Sequence, residues 1–344
     1  MEMTDGLSDL YLNFYGCIVK VSSDERTCLD NVRRDFLYFL CSQPPEKPLS
    51  VSIRLHKEPP PPVPAQAKQV FQTNEGVCYE YEQIRYVDYS GKALARYDFR
   101  SEEGVGFSLD DSLLYEISYI MVLSRIGELL DRKGIHRLHS LAVSVDRFAV
   151  ICLLPMGGGK TTLALELIKA NDCFLLSDEI AAIDGSLQVL PFPLRLGVTT
   201  TERIDPNMPG RYLRSITRIA YGPKVLIDVE YFIQKVATEP ARLGVVLFGE
   251  RKNSNKPELK RLSKFAALYH VLKYITLGYQ LPQTKAYFFK FSIGYFITLF
   301  TILLSRLLSG VKIALSVKCY RFKLADNPHK NAQVIASVLR KNGS

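Results

Sequence analysis

Residues 148–179 read FAVICLLPMGGGKTTLALELIKANDCFLLSDE. The first seven, Phe148–Leu154, carry no strongly polar side chain, which is the composition of a strand covered on both faces. Gly157, Gly158, Gly159 and Lys160 follow, and then TTLALELIKAN, whose apolar residues recur at helical spacing. Strand, glycine loop and helix form a unit in which loop amides and the positive end of the helix face one point. A second apolar run, Cys173–Leu176, then ends in Ser177, Asp178 and Glu179.

Set against the phosphate-loop pattern G-x-x-x-x-G-K-[ST], Gly159, Lys160 and Thr161 fit. Leu154 stands where the pattern opens with glycine, and Pro155 removes one N–H donor. Glycines let the backbone approach phosphate oxygens without a Cβ. Lys160 would bridge the β- and γ-phosphates of ATP, and the Thr161 hydroxyl would ligate Mg²⁺. Asp178 lies 18 residues beyond Lys160, room for one helix and a short return to the neighbouring strand. An acid at that place would hold Mg²⁺ or deprotonate the attacking group. His139, in GIHRLHSLAV, is expected to start the strand paired with Phe148–Leu154, within reach of the phosphates, with His136 its rival.

Upstream, Leu10–Val21 reads as strand and Arg26–Cys41 as helix, before the Pro59–Pro62 run imposes a stiff surface loop. Val77–Tyr81, Ile84–Tyr89 and Ala93–Phe99 read as a meander, with Ser90–Gly91 as a turn. Ser112–Arg132 is the first long helix. This places a β-rich N-terminal domain at 1–111 and a second domain, with a basic and partly helical C-terminal part, at 112–344. The fold class is α/β, α+β overall.

With 47% hydrophobic and 23% charged residues, the 344-residue chain is neither mostly disordered nor fibrous. Seven scattered cysteines without a C-x-x-C spacing argue against a zinc ribbon or a disulfide scaffold, and for reduced thiols in the cytoplasm. Met1 to Leu10 carries three acids and no apolar run, so no leader is expected there. Residues 1–194 carry net −8 and residues 195–344 net +17. The basic half therefore suits an anion: a nucleotide, an acidic peptide, nucleic acid, a lipid surface or the acidic half itself. Nucleic acid is not expected, because no helix-turn-helix or zinc pattern appears.

His139-Ser140-x-x-Val143, a hairpin, GGGKTTLALELI and LLSDE together resemble the catalytic domain of HPr kinase/phosphorylase and its relatives, a fold shared with PEP carboxykinase. The similarity covers about residues 134–200. It implies an HPr kinase-like P-loop core in which Gly157, Gly158, Gly159, Lys160, Thr161 and Thr162 bind ATP. It implies Mg²⁺ held by Thr161, Asp178 and Glu179, with Asp178 as catalytic base on a serine hydroxyl and His139 beside the phosphates. Thr162 stands where HPr kinase itself has glutamate, and the layout is closest to kinases of peptide-modification gene sets, including those acting on lasso-peptide precursors. The activity implied is transfer of the γ-phosphate to a hydroxyl, that of a serine in a peptide or protein. The alternatives are a small-molecule kinase acting on free serine, and a non-catalytic ATP-binding switch. Relatives are often oligomers, so a homo-oligomer is implied as well.

Downstream, Arg203, Arg211, Arg214, Arg218 and Lys224 form a basic segment, from which Arg211 and Arg214 are candidates to neutralise the transferring phosphoryl group. Phe291–Ser305 carries no charge, and within 286–306 three readings stay open: a buried or interface helix, an in-plane membrane contact, and a span. Lys318–Leu324 alternates like a strand, and Asn331–Leu339 reads as a closing helix.

Overall fold

The computed structural model describes residues 8–73, 76–155, 157–198, 204–218, 222–251, 254–276 and 293–343. It is a mixed α/β structure dividing into two compact units. One comprises Met1–Leu130 and Leu213–Leu226; the other comprises Asp131–Tyr212, Ile227–Leu281 and Ile293–Ser344.

The first unit is built on an eight-stranded sheet. Its strands are β1 (Ser8–Phe14), β2 (Cys17–Ser23), β3 (Val51–His56), β4 (Lys68–Gln72), β5 (Val77–Tyr81), β6 (Ile84–Asp88), β7 (Ala93–Asp98) and β8 (Glu103–Ser108), in the order β1-β2-β3-β8-β7-β6-β5-β4. The meander expected at Val77–Phe99 is present, and Ser90 and Gly91, both at positive φ, make its turn. The Leu10–Val21 stretch is split into a hairpin, since Tyr15 and Gly16 also take positive φ. Helix α1 (Arg26–Asp35) is shorter than expected, giving way to a 3₁₀ turn at Leu37–Phe39. Helix α2 (Asp111–Arg132) passes from this unit into the second. Buried Asp35, at the end of α1, accepts from the Tyr115 hydroxyl of α2 and pairs with Arg214 at 2.6 Å. Arg214 lies on a returning strand, Leu213–Arg218.

The second unit contains the glycine loop and the acidic turn of residues 148–179. Its sheet joins β9 (His136–Leu138), β10 (Leu141–Val145), β11 (Phe148–Leu153), β12 (Phe174–Ser177), β13 (Ala181–Ile183), β14 (Gln188–Leu190), β18 (Ala241–Arg251), β19 (Glu258–Arg261) and β20 (Lys318–Leu324). The labels β15, β16 and β17 belong to Leu196–Val198, Leu213–Arg218 and Gly222–Ile227. Central β18 runs parallel to β11 on one side and to β20 on the other. Its core-facing residues Leu243, Val246 and Phe248 join Ile151, Leu153 and Leu176 in one buried cluster. Helix α3 (Lys160–Leu167) follows β11, and α4 (Val229–Phe232), α5 (Lys264–Val271), α6 (Ile293–Ser316) and α7 (Pro328–Gly343) complete the unit. α7 packs on α3, and Arg340 grips Asp172 through two hydrogen bonds of 2.7 and 2.9 Å.

Two expectations need correction. His139 and Ser140 form a bend between β9 and β10 and are not the first residues of a strand. Nor is β12 the neighbour of β11. β10 lies between them and pairs antiparallel with both, so β11 and β12 run parallel one strand apart.

α6 is anchored to this sheet by a buried ionic cluster. Asp131 accepts from Arg306 at 2.7 and 3.0 Å and meets His136 Nδ1 at 3.0 Å, while His136 Nε2 meets Ser305 Oγ at 3.0 Å. Burial alone would raise the pKa of Asp131. The Arg306 charge, the bonds from His136 and Arg306 and the Arg137 charge outweigh it and hold the carboxyl below its ordinary value. A folded pKa below the unfolded one contributes stability above the unfolded value, and that contribution is lost as pH falls through the folded value. Asp131→Asn is therefore expected to lower stability at pH 7 by about 3 kcal/mol, leaving Arg306 buried without its carboxylate. The gap between the two proteins, read from urea melts, should narrow below about pH 4.

Candidate functional site

Because β11 and β12 run in the same direction, their C-terminal ends open on one edge of the sheet. The glycine loop leaves β11 there, and Ser177, Asp178 and Glu179 leave β12 there. His139 lies at the same edge, because the pairing of Leu141 with Cys152 and of Ala142 with Ser177 puts the start of β10 between the two strand ends.

The loop is shaped by its glycines. Gly157 and Gly159 have φ of +71° and +92°, where an L side chain costs about 1–2 kcal/mol. The Gly158 amide donates to the Pro155 carbonyl at 2.9 Å, closing the turn. Gly159 caps α3 in the left-handed conformation and, as glycine, brings no side chain to the amides of the first turn. Those amides point at the loop, and the helix adds its positive end. The Lys160 ammonium donates to the Leu154 carbonyl at 2.9 Å and reaches that of Pro155 at 3.5 Å. Its charge also lies near Cys152, although burial dominates and pushes that thiol up to about 12. Thr161 and Thr162, both half-buried, follow in the first turn.

The Thr161 hydroxyl donates to Asp178 Oδ2 at 2.9 Å. This bond joins the two chemical elements across the width of β10. The Asp178 turn is fixed by Ser177, whose buried Oγ accepts from the Ile180 amide at 2.9 Å. Asp178 is buried, and Glu179 beside it is half-buried. Ser140 Oγ, fully buried next to half-buried His139, has no hydrogen-bond partner among the described residues. A buried hydroxyl in that state is an acceptor or donor that a ligand or water would satisfy. The site thus combines amides, one ammonium, a hydroxyl and the Asp178 carboxylate, with Glu179 next to it in the chain, a set that suits a phosphate chain and a hard oxygen-seeking cation.

Both arginine candidates are engaged by neighbours in their own units. Arg214 is committed within the first unit, donating to Asp35 at 2.6 Å and to Asn31 at 3.0 Å. That buried pair engages the guanidinium expected to neutralise a phosphoryl group. Exposed Arg211 lies over the ring of Tyr212, 4.8 Å from its centroid, and donates to its hydroxyl at 2.8 Å. Arg203 lies outside the described residues. An arginine not among the candidates, Arg195, is buried on the segment that follows Phe192, whose amide donates to Leu176 of β12.

Leu154, which replaces the opening glycine of the loop pattern, is fully buried and packs over Gly249 of β18. A Cβ at Gly249 would lie 2.2 Å from Leu154 Cδ2. The missing side chain on β18 is what makes room for leucine at the mouth of the loop, and no local pattern in residues 148–179 reveals it. In the first unit, Asp24, His56 and Glu58 also bring ligand atoms within 4.8 Å of one another, but the two acids are exposed. Such surface clusters are common without an ion.

No protein-family model matches the chain, and no curated protein matches it. The Leu154–Gly249 contact yields an expected coupling. Leu154→Ala should cost about 2–5 kcal/mol through the cavity it leaves. Gly249→Ala should also destabilise, by driving Leu154 off its rotamer. In the double variant the alanine Cβ enters the space that Leu154 vacates, so the loss should fall short of the sum by about 1 kcal/mol in a urea double-mutant cycle.

Proposed function

We propose that the second unit is the core of an ATP-dependent kinase of the HPr kinase-like kind, transferring the γ-phosphate to a hydroxyl of a peptide or protein, that of a serine. The observation that carries this reading is the 2.9 Å bond between the Thr161 hydroxyl and Asp178, which couples the glycine loop to the acidic turn. The Lys160 ammonium folded onto the Leu154 and Pro155 carbonyls supports it, since a phosphate chain lying in the loop would draw that charge onto its own oxygens.

In this reading Gly157–Gly159 and the first-turn amides bind the phosphates, and Lys160 offsets the charge that builds on the β- and γ-phosphates. The hard oxygens of Thr161, Asp178 and Glu179 fit Mg²⁺, which would supply charge neutralisation across the phosphates when bound. As the acceptor oxygen forms its bond to the γ-phosphorus and the bond to the ADP oxygen breaks, the hydroxyl proton passes to Asp178 Oδ1. His139, at the same sheet edge, would then lie beside the phosphates.

The test is calorimetry of Mg²⁺-ATP binding, followed by mass spectrometry for phosphate on serine peptides and on free serine. Wild type should bind. Lys160→Ala should bind at least about tenfold more weakly. Asp178→Asn, which loses one Mg²⁺ ligand as well as the proton acceptor, should weaken binding less than Lys160→Ala does while transfer falls by about 10²–10⁴-fold. Phosphate on free serine alone would assign the small-molecule chemistry instead, binding without transfer would favour the switch, and absence of binding by wild type would overturn the reading.

A further inference from the structure

α6 is two-faced. Tyr295, Ile302, Arg306 and Ile313 are buried along one side, where Arg306 meets Asp131. On the other side Phe296, Ile297, Phe300, Leu304, Leu308 and Leu315 stand exposed, Phe300 at 67% and Ile297 at 65%. At 3.6 residues per turn these six fall on one stripe. The helix is long and apolar enough to cross a bilayer, yet only 22% of its most apolar stretch is buried, unlike the core helix of a globular domain. α5 packs against it and adds Phe265, 88% exposed, and Tyr269.

The stretch of chain that carries this face has charge of one sign. No Asp or Glu occurs between Glu258 and Asp326, whereas Lys260, Arg261, Lys264, Lys312, Lys318 and Arg321 are exposed in that interval. We propose that the exposed face of α6, with α5 beside it, docks in the plane of an anionic lipid surface. The stripe would enter the boundary between headgroups and acyl chains while the lysines and arginines meet lipid phosphates and carboxylates. A transmembrane path is disfavoured by Arg306, which lies within the helix and is held by Asp131 and the Arg137 carbonyl in the second unit. A second copy of the chain is disfavoured too, because a self-complementary contact would bring two copies of this basic, carboxylate-free stretch together. Of the 286–306 stretch singled out in the sequence, 286–292 lies outside the described residues, and the docking face extends beyond it to Leu315. The inference does not depend on the nucleotide chemistry.

The chain contains no tryptophan, so Phe300→Trp gives a reporter without background. With vesicles of phosphatidylcholine carrying about one third phosphatidylserine, its emission should shift to the blue and be quenched by brominated acyl chains. Wild type should sediment with these vesicles, less so as salt rises, and not with phosphatidylcholine alone. Phe300→Gln with Leu308→Gln should weaken sedimentation by at least about tenfold, with the circular dichroism melt unchanged because both positions are exposed. Failure of wild type to sediment, or sedimentation unaffected by the two substitutions, would overturn the proposal. A dimer in light scattering that the same substitutions dissociate, without vesicle binding, would overturn it as well and assign the face to self-association.

Discussion

The insertion of β10 between β11 and β12 governs the geometry of the second unit. Both outer strands pair antiparallel with β10, so they are parallel to each other and about 10 Å apart. The chain must step over β10 to pass from one to the other, and α3, eight residues and about 12 Å long, lies in that step. Parallel strands separated in this way deliver their loops to the same edge. A glycine loop and an acidic turn, far apart on an unfolded chain, are then close enough for one side-chain hydrogen bond to join them. Without β10 in that place the Thr161 hydroxyl and the Asp178 carboxylate would have no fixed separation.

What the sequence disclosed was local. The strand at Phe148, the glycine loop, the helix at Lys160 and the Ser177–Glu179 turn all lie within one short stretch, and the meander before α2 carries its own turn residues at Ser90 and Gly91. What it withheld depends on partners distant in the chain. The place of β10 is a matter of strand pairing, which period-2 patterning does not encode. Arg214 looks like any arginine of a basic segment until Asp35 is found beside it, 179 positions away. The leucine in the glycine's place looks like a defect of the loop until Gly249 is seen beneath it. The bend at His139 escaped for a simpler reason, since HRLHSLAV contains no glycine or proline to mark a break.

Charge behaves in the same way. The two halves of the chain differ strongly in sign, but that difference alone does not locate a surface. The informative feature is the long interval without any carboxylate, which spans α5, α6 and β20 and coincides with the exposed apolar stripe. Within it, the one buried arginine of α6 finds its counter-charge outside the interval, on Asp131 at the end of α2. Cation and anion come from opposite ends of the second unit's sequence, so the seat of α6 is specified by the folded sheet and not by the helix itself.

That separation has a temporal side. In a chain synthesised at about 5–20 residues per second, the carboxylate of Asp35 precedes its arginine by roughly 9 to 36 seconds, and Asp131 waits about as long for Arg306. During that interval each acid must remain hydrated, protonated or held by another component of the cell. Strand β18 likewise emerges well before β20, presenting an unpaired edge as it leaves the ribosome. The nascent chain therefore passes through a stage at which the sheet of the second unit has its glycine loop but neither its last parallel strand nor the helix α7 that packs on α3.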